Sequence, residues 1–336
     1  GPFAGVPYLV KDLNDVIGAK TRHGSRATAN VAAATEQMAF INATFAAGVV
    51  WIGKSATPEN GYLPTTEPLA FGPTRNPWNT EHSTGGSSGG AAAAVASGVV
   101  PMAHANDGGG SIRFPAANCG LVGLKPSRGR LIDEDLQPSP LDIAVQGVVS
   151  RTVRDTAGFF AATEFNQAGS MYPPVGMVTA PGTKKLKVGL ITKGFSGTEA
   201  SADVAAAVNA TAKLMEGAGH TIIPTNWPTA PTFQDDFLAF WSLGAAQDMK
   251  QVEEITGKPA DETVVEPFSL RMAQNAALLK PEEIEAVQKR LIEGAAASHA
   301  WIAGFDVVMS PVFTSPPSPL GYLRGDAPFD ELRQRL

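Results

Sequence analysis

Short apolar runs alternate along this chain with stretches of helical spacing, and that alternation limits the fold more than any other feature. Val6–Val10, Val49–Ile52, "LKVGLI" (186–191), "HTIIPTN" (220–226) and Phe305–Val312 read as buried strands. Thr35–Ala47, Ala91–Ser97, a segment from Thr152, Ala202–Gly217 and a mostly helical run from Thr232 to Ala303 read as helices. Strand and helix in turn imply an α/β fold with a largely buried sheet. At 336 residues and 43% hydrophobic content the chain can bury a large core, as one big or two smaller domains. It contains no internal repeat.

Charge and cysteine content remove several classes of function. Lys+Arg 26 against Asp+Glu 32 gives a net charge of −6, with no basic stripe, so nucleic acid is not an expected partner. One cysteine, Cys119, allows no intrachain disulfide framework and fits a reducing, cytoplasmic setting. The apolar run Ala91–Ala105 is too short to span a bilayer and carries Ser97 and Pro101. The chain lacks an initiator methionine, opens inside a patterned segment, "GPFAGVPYLVKD", and stops in the helix-like "DELRQRL". The expectation is a fragment truncated at both ends.

The chemistry concentrates in "HANDGGGSIRFPA" (104–116). Successive glycines can aim several backbone N–H groups into one concavity, which suits an anion or the oxygen of an attacked carbonyl. Ser111 would then stand beside the carbonyl carbon. The alternative is a tight turn in which Ser111 is only a cap. A second cluster, "STGGSSGGAAAA", places Ser87 and Ser88 between glycine pairs. Gly85, Ser87 and Gly89 satisfy the nucleophile-elbow pattern, but the preceding "NPWNTEH" is no core strand. Gly48–Ser55 matches a P-loop literally, yet Val49, Val50, Trp51 and Ile52 favour a buried strand over a phosphate loop. His23, His82, His104, His220 and His299 are scattered and show no metal-ligand spacing, so each reads as structural. A serine nucleophile then needs another base. Lys11, at the end of "GVPYLV", is a candidate, although in isolation a solvated strand-end lysine is the better reading. "TTEPLAFGPTRNPWNTEHSTGGSSGG" reads as one long loop, with Phe71 and Trp78 either at a site entrance or in the core.

Together, "GVPYLVKD", "TGGSSGG" and "NDGGGSIRFPAANCGLVGLKPSRGR" resemble the amidase signature family of serine hydrolases. The resemblance is densest over 85–130 and runs more loosely to "FDVVMSPV". It implies an α/β/α sandwich around a large twisted mixed sheet. It also implies a single amidase domain over 1–336: a catalytic core in 1–150, then an α/β continuation in 151–336 with a helical substrate-side region near 226–303. Lys11, Ser87 and Ser111 match a Ser–cisSer–Lys triad with Ser111 the nucleophile and a cis peptide before Ser87. Gly108, Gly109, Gly110 and Ser111 match the backbone oxyanion hole, while Ser88, Asp107 and Arg113 match supporting positions. Ala91 stands where many members carry a larger or polar residue, and "HAND" replaces the more common "LGTD". The loops look most like those of amidases acting on 6-aminohexanoate oligomers, the cyclic-dimer hydrolases in particular.

The implied reaction is amide hydrolysis through an acyl-enzyme. It needs no cofactor and no metal, takes a small-molecule amide as partner, involves no membrane, and leaves room for a homodimer. Lys11 must be neutral, so its pKa has to fall from about 10.4 toward 7–8. Burial plus a nearby cation is the expected cause. Two rivals share the fold: the amidase subunit of a tRNA-dependent amidotransferase, and a catalytically silent binding module.

Overall fold

The computed structural model describes residues 1–132, 139 and 141–336. They form two compact units, one of Gly1–Thr179, Leu243–Ala277 and Pro317–Leu336, the other of Ala180–Ser242 and Leu278–Pro316.

The first unit opens with β1 (Pro7–Lys11), α1 (Ala39–Ala46) and β2 (Val50–Ser55). β1 and β2 pair in parallel from Pro7↔Val50 to Lys11↔Ser55, which puts Gly48–Ser55 in a ladder and removes the P-loop reading, as expected from its β-branched residues. The long loop is shorter than the sequence suggests: β3 (Arg75–Asn76) and β4 (Asn79–Ser83) make a small antiparallel hairpin. Asn76 nucleates it by accepting the Trp78 N–H on Oδ1 at 3.0 Å, a local turn that leaves no apolar pattern behind.

The small-residue helix α2 (Gly89–Ala96) follows, then β5 (Met102–Asp107), α3 (Arg113–Cys119), β6 (Val122–Gly123), β7 (Val145–Ser150) and α4 (Val153–Thr163). Glycine in α2 is a packing requirement. A Cβ on Gly90 would sit 2.3 Å from the Ala56 nitrogen, and one on Gly89 2.3 Å from the hydroxyls of Thr66 and Thr84. β5 and β6 pair antiparallel with β7, with Met102↔Ser150 and Asp107↔Val145 at the ends of the β5 ladder.

β1 lies beside β5, but the seam is closed by a side chain: the Lys11 N–H donates to His104 Nδ1 at 3.1 Å. The strands are therefore hydrogen-bonded as several small ladders, within an α/β arrangement of parallel and antiparallel pairs. β5 divides the core by its period-2 alternation. Met102 joins Tyr8, Val10, Phe40 and Phe159, whereas Ala103 and Ala105 join Ala91, Val95, Ile112 and Ala116 from α2 and α3.

In the second unit β8 (Lys187–Leu190), α5 (Ala202–Gly217) and β9 (Thr221–Pro224) form a strand–helix–strand crossover with β8 and β9 parallel. The helical run resolves into α6 (Phe233–Thr256), divided between the units at Ser242, α7 (Pro267–Ala276), which belongs to the first unit, and α8 (Pro281–Ile302) in the second. β10 (Val307–Met309) then pairs parallel to β8 on its other edge, and α9 (Phe329–Arg335) closes the chain in the first unit. Among the described residues no helix is long and apolar enough to cross a membrane.

Candidate active site

Every residue that the sequence nominates lies in the first unit. Lys11 ends β1 and is fully buried. Its Nζ lies 2.7 Å from Ser87 Oγ and 2.6 Å from Asn106 Oδ1. Burial pulls its pKa from 10.5 to about 7, against the opposing charge of Asp107. The expected nearby cation is not the cause: desolvation alone lowers the amine, and the one charge that acts on it works the other way.

His104, the histidine nearest the site in sequence, is structural. Its Nδ1 accepts the Lys11 N–H, so Nε2 carries the proton and donates to Gln146 Oε1 at 2.9 Å. Burial takes its pKa down to about 3, which keeps the ring neutral.

Ser87 is 2% exposed at the N-terminal side of α2, and the Gly86–Ser87 peptide is cis. Two glycines press on it. A Cβ on Gly86 would fall 2.4 Å from the Thr65 carbonyl oxygen. Gly61, at φ +76, faces the hydroxyl, and a Cβ there would come 3.1 Å from Ser87 Oγ. The preceding β4 is a largely exposed hairpin strand, which rules out the nucleophile-elbow reading. Buried Ser88 donates its hydroxyl to the Asn106 carbonyl at 3.3 Å, tying α2 to β5.

Asp107 shapes the glycine turn. Its Oδ1 accepts the Gly110 N–H at 2.7 Å, and its Oδ2 accepts the Ile112 N–H at 3.1 Å. Arg113 adds a two-point pair, Nε to Oδ2 at 2.9 Å and Nη2 to Oδ1 at 2.8 Å. Burial would push the Asp107 carboxyl up. The hydrogen bonds and charge of Arg113, with the Ile112 and Gly110 amides, outweigh it and hold the group below its ordinary value.

The turn sets Gly110 apart from its neighbours: its amide is bound to Asp107 and the residue is buried. Its glycine identity has another reason: φ is +129, and a Cβ would land 2.3 Å from the Phe114 ring. The amides of Gly108, Gly109 and Ser111 find no acceptor among the described residues, and these three positions are partly or fully exposed. The Ser111 hydroxyl likewise has no hydrogen bond among the described residues, so the contact in place is Lys11 to Ser87.

Sequence reasoning missed Asn106, Asn14 and Gly61. Asn106 stood in view as part of "HAND", and the strand period that pairs it with His104 on one face of β5 could have found it. Phe71 and Trp78 are not core: Trp78 is 73% exposed, with Nε1 donating to the Cys119 carbonyl at 2.8 Å, and Phe71 lies under the Arg22 guanidinium. No three His, Cys, Asp or Glu side chains among the described residues come together as a metal site.

The α/β chain thus buries a lysine with a pKa near 7 against a serine hydroxyl, and β5 carries both that lysine's partner Asn106 and the Asp107 that shapes the glycine turn. The family model described as Amidase matches residues 1–334, and the chain belongs to that family. AmiC of Mycobacterium leprae (strain TN), provisionally named an amidase, is 39% identical over 325 residues, covering 96% of this chain and 69% of the relative. The 6-aminohexanoate-cyclic-dimer hydrolase of Pseudomonas sp. (strain NK87) is 35% identical over 346 residues, covering 96% and 69%. A solved 6-aminohexanoate cyclic dimer hydrolase superposes with a TM-score of 0.87 at 33% identity, over 96% of this chain and 70% of that one. The chain is thus an enzyme of the class that acts on the C–N bond of amides.

Proposed function

We propose that this chain hydrolyses a small-molecule carboxylic amide with Ser111 as nucleophile, Ser87 as relay hydroxyl and Lys11 as base. The observation that carries the reading is the 2.7 Å approach of a fully buried amine, with a pKa near 7, to Ser87 Oγ. An amine in that state can hold a proton and release it at neutral pH.

In the first half-reaction Lys11 Nζ takes the Ser87 proton while Ser87 Oγ takes that of Ser111. Ser111 Oγ bonds to the carbonyl carbon, and the carbonyl π pair moves to oxygen. The amides of Gly108, Gly109 and Ser111 are the donors available to that oxygen, each worth on the order of 3 kcal/mol. Collapse breaks the C–N bond, and the proton held on Lys11 returns through Ser87 to the departing nitrogen, which leaves as a neutral amine. Water then attacks the ester by the same relay, releasing the acid and restoring the Ser111 proton.

The substrate we favour is a linear or cyclic amide of the aminohexanoate type, a choice supported by the relatives that carry that activity in their names. A cytoplasmic location accords with the single buried thiol of Cys119. The reading needs no cofactor, nucleic acid or membrane.

A fluorophosphonate probe tests the mechanism. Wild-type protein should be labelled on Ser111, and Ser111→Ala should be folded and unlabelled. Labelling that survives in Ser111→Ala would overturn Ser111 as nucleophile, and a folded wild type that is never labelled would overturn the assignment and favour a silent module. Rates across short aliphatic amides, aryl amides, the aminohexanoate cyclic dimer and glutamine then sort the substrate class, with glutamine turnover alone pointing to an amidotransferase subunit.

A further inference from the structure

A neutral primary amine has two N–H bonds and one lone pair. For Lys11 to accept a proton from Ser87, the lone pair must point at Ser87 Oγ, so the N–H bonds need other acceptors. We infer that Asn106, locked by Asn14, is the positioning residue that fixes this orientation, by taking a Lys11 N–H on Oδ1. The inference rests on the reading of Lys11 as base.

The geometry is a chain of side-chain donors and acceptors with one polarity. Lys11 Nζ donates to Asn106 Oδ1 at 2.6 Å. Asn106 Nδ2 donates to Asn14 Oδ1 at 3.2 Å. Asn14 Nδ2 in turn donates to Met38 Sδ at 2.9 Å. A thioether only accepts, so Met38 fixes the Asn14 amide, Asn14 fixes the Asn106 amide, and Asn106 is left presenting oxygen to the amine. The Ser88 hydroxyl on the Asn106 carbonyl holds the same residue from the backbone side. A flipped Asn106 would turn an NH₂ group toward Nζ, drawing the lone pair away from Ser87, and a carbonyl toward the Asn14 oxygen, losing the bond to Asn14.

An uncharged acceptor also suits the task. It bonds to either protonation state of the amine without the field that would keep it an ammonium. The charged groups around Lys11 are already paired. Asp107, from β5, is bound by Arg113, and Lys54, from β2, is 3.6 Å from Asp12. His104, also from β5, is neutral, and the segment leading into α2 contributes only the hydroxyls of Ser87 and Ser88. A carboxylate at position 106 would be the single unpaired charge, in direct contact with Nζ.

The test is the pH dependence of fluorophosphonate labelling of Ser111, which needs no knowledge of the substrate. In the wild type the labelling rate should fall on the acid side of about pH 7, the Lys11 value. Asn106→Asp should move that limb up by about 1–3 pH units, with the rate recovering at high pH. Asn106→Leu should lower the rate at every pH without raising the limb. Should the Asn106 variants fail to fold by circular dichroism, Asn14→Leu, which frees the Asn106 amide to flip, should reduce the rate several-fold in protein that is folded by the same criterion. Equal losses in Asn106→Asp and Asn106→Leu with the wild-type limb unmoved would overturn the positioning role alone, as would an Asn14→Leu variant that labels like wild type. A wild type with no acid limb would overturn the lysine base itself, and this inference with it.

Discussion

Replacing Lys11 by methionine isolates the energetic consequence of burying an amine. The side chain keeps its length and apolar stem and loses its ionisation. Holding the folded amine at about 7 against an ordinary 10.5 corresponds to about 5 kcal/mol of disfavoured ammonium. Below pH 7 both folded and unfolded chains carry the proton, and the folded state bears that whole cost. Above pH 7 the folded state sheds the proton while the unfolded chain keeps it up to 10.5, so the wild type gains stability as pH rises. One proton of difference contributes about 1.4 kcal/mol per pH unit, or about 3 kcal/mol between pH 7 and pH 9. Lys11→Met has no such slope. The assay is urea denaturation of both proteins from pH 6 to 9.5, read as the difference between their unfolding free energies. That difference should shift by about 3 kcal/mol in favour of the wild type across the window. The lost contacts to Ser87 and Asn106 displace the variant by an amount that is much less pH-dependent, so the slope is the diagnostic. Parallel pH profiles would mean that Lys11 titrates alike in both states, and the near-neutral base would be gone.

Two further perturbations test the surroundings of the site. Gly110→Ala forces a Cβ to 2.3 Å from the Phe114 ring at φ +129, so thermal unfolding should show a loss of about 3 kcal/mol; an unshifted midpoint would refute the packing described for the turn. Glu266 is buried near Glu59, and burial first, then the Glu59 charge, raises its pKa from 4.5 to about 8. Between those values the unfolded chain gives up a proton that the folded chain keeps, so stability falls as pH rises through that window. Glu266→Gln should remove about 2–3 kcal/mol of that decline between pH 6 and 8, measured by the same denaturation series, and an undiminished decline would count against it.

What the sequence displayed well were features with a local physical signature. The β-branched residues of Val49–Ile52 outweighed a literal P-loop pattern, and β2 is a strand. The glycine–alanine run after Ser88 announced a helix packed too closely for side chains, and α2 meets Ala56, Thr66 and Thr84 at those distances. The β3–β4 hairpin was hidden because a single Asn76 turn organises polar residues with no alternation to read. Gly108, Gly109 and Gly110 are identical letters, separated only by which amide Asp107 captures. The chemical partner of Lys11 was hidden for a related reason: an asparagine is polar but not titratable, and its worth depends on what its amide oxygen touches.

Both halves of the site hang from β5, on opposite faces. His104 and Asn106 turn toward Lys11, one binding its backbone and the other its amine. Asp107, one residue on, turns to the glycine loop and is neutralised there by Arg113. The alternation of a strand therefore does electrostatic sorting: the uncharged acceptor meets the Lys11 amine, and the carboxylate meets the glycine turn. A one-residue slip of β5 against β7 would exchange the two faces, setting a carboxylate against Lys11 and an amide in the glycine turn. Lys11 would stay charged and the turn would lose its anchor together. The antiparallel register that ends at Asp107↔Val145 therefore keeps a carboxylate off the amine, while burial lowers its pKa.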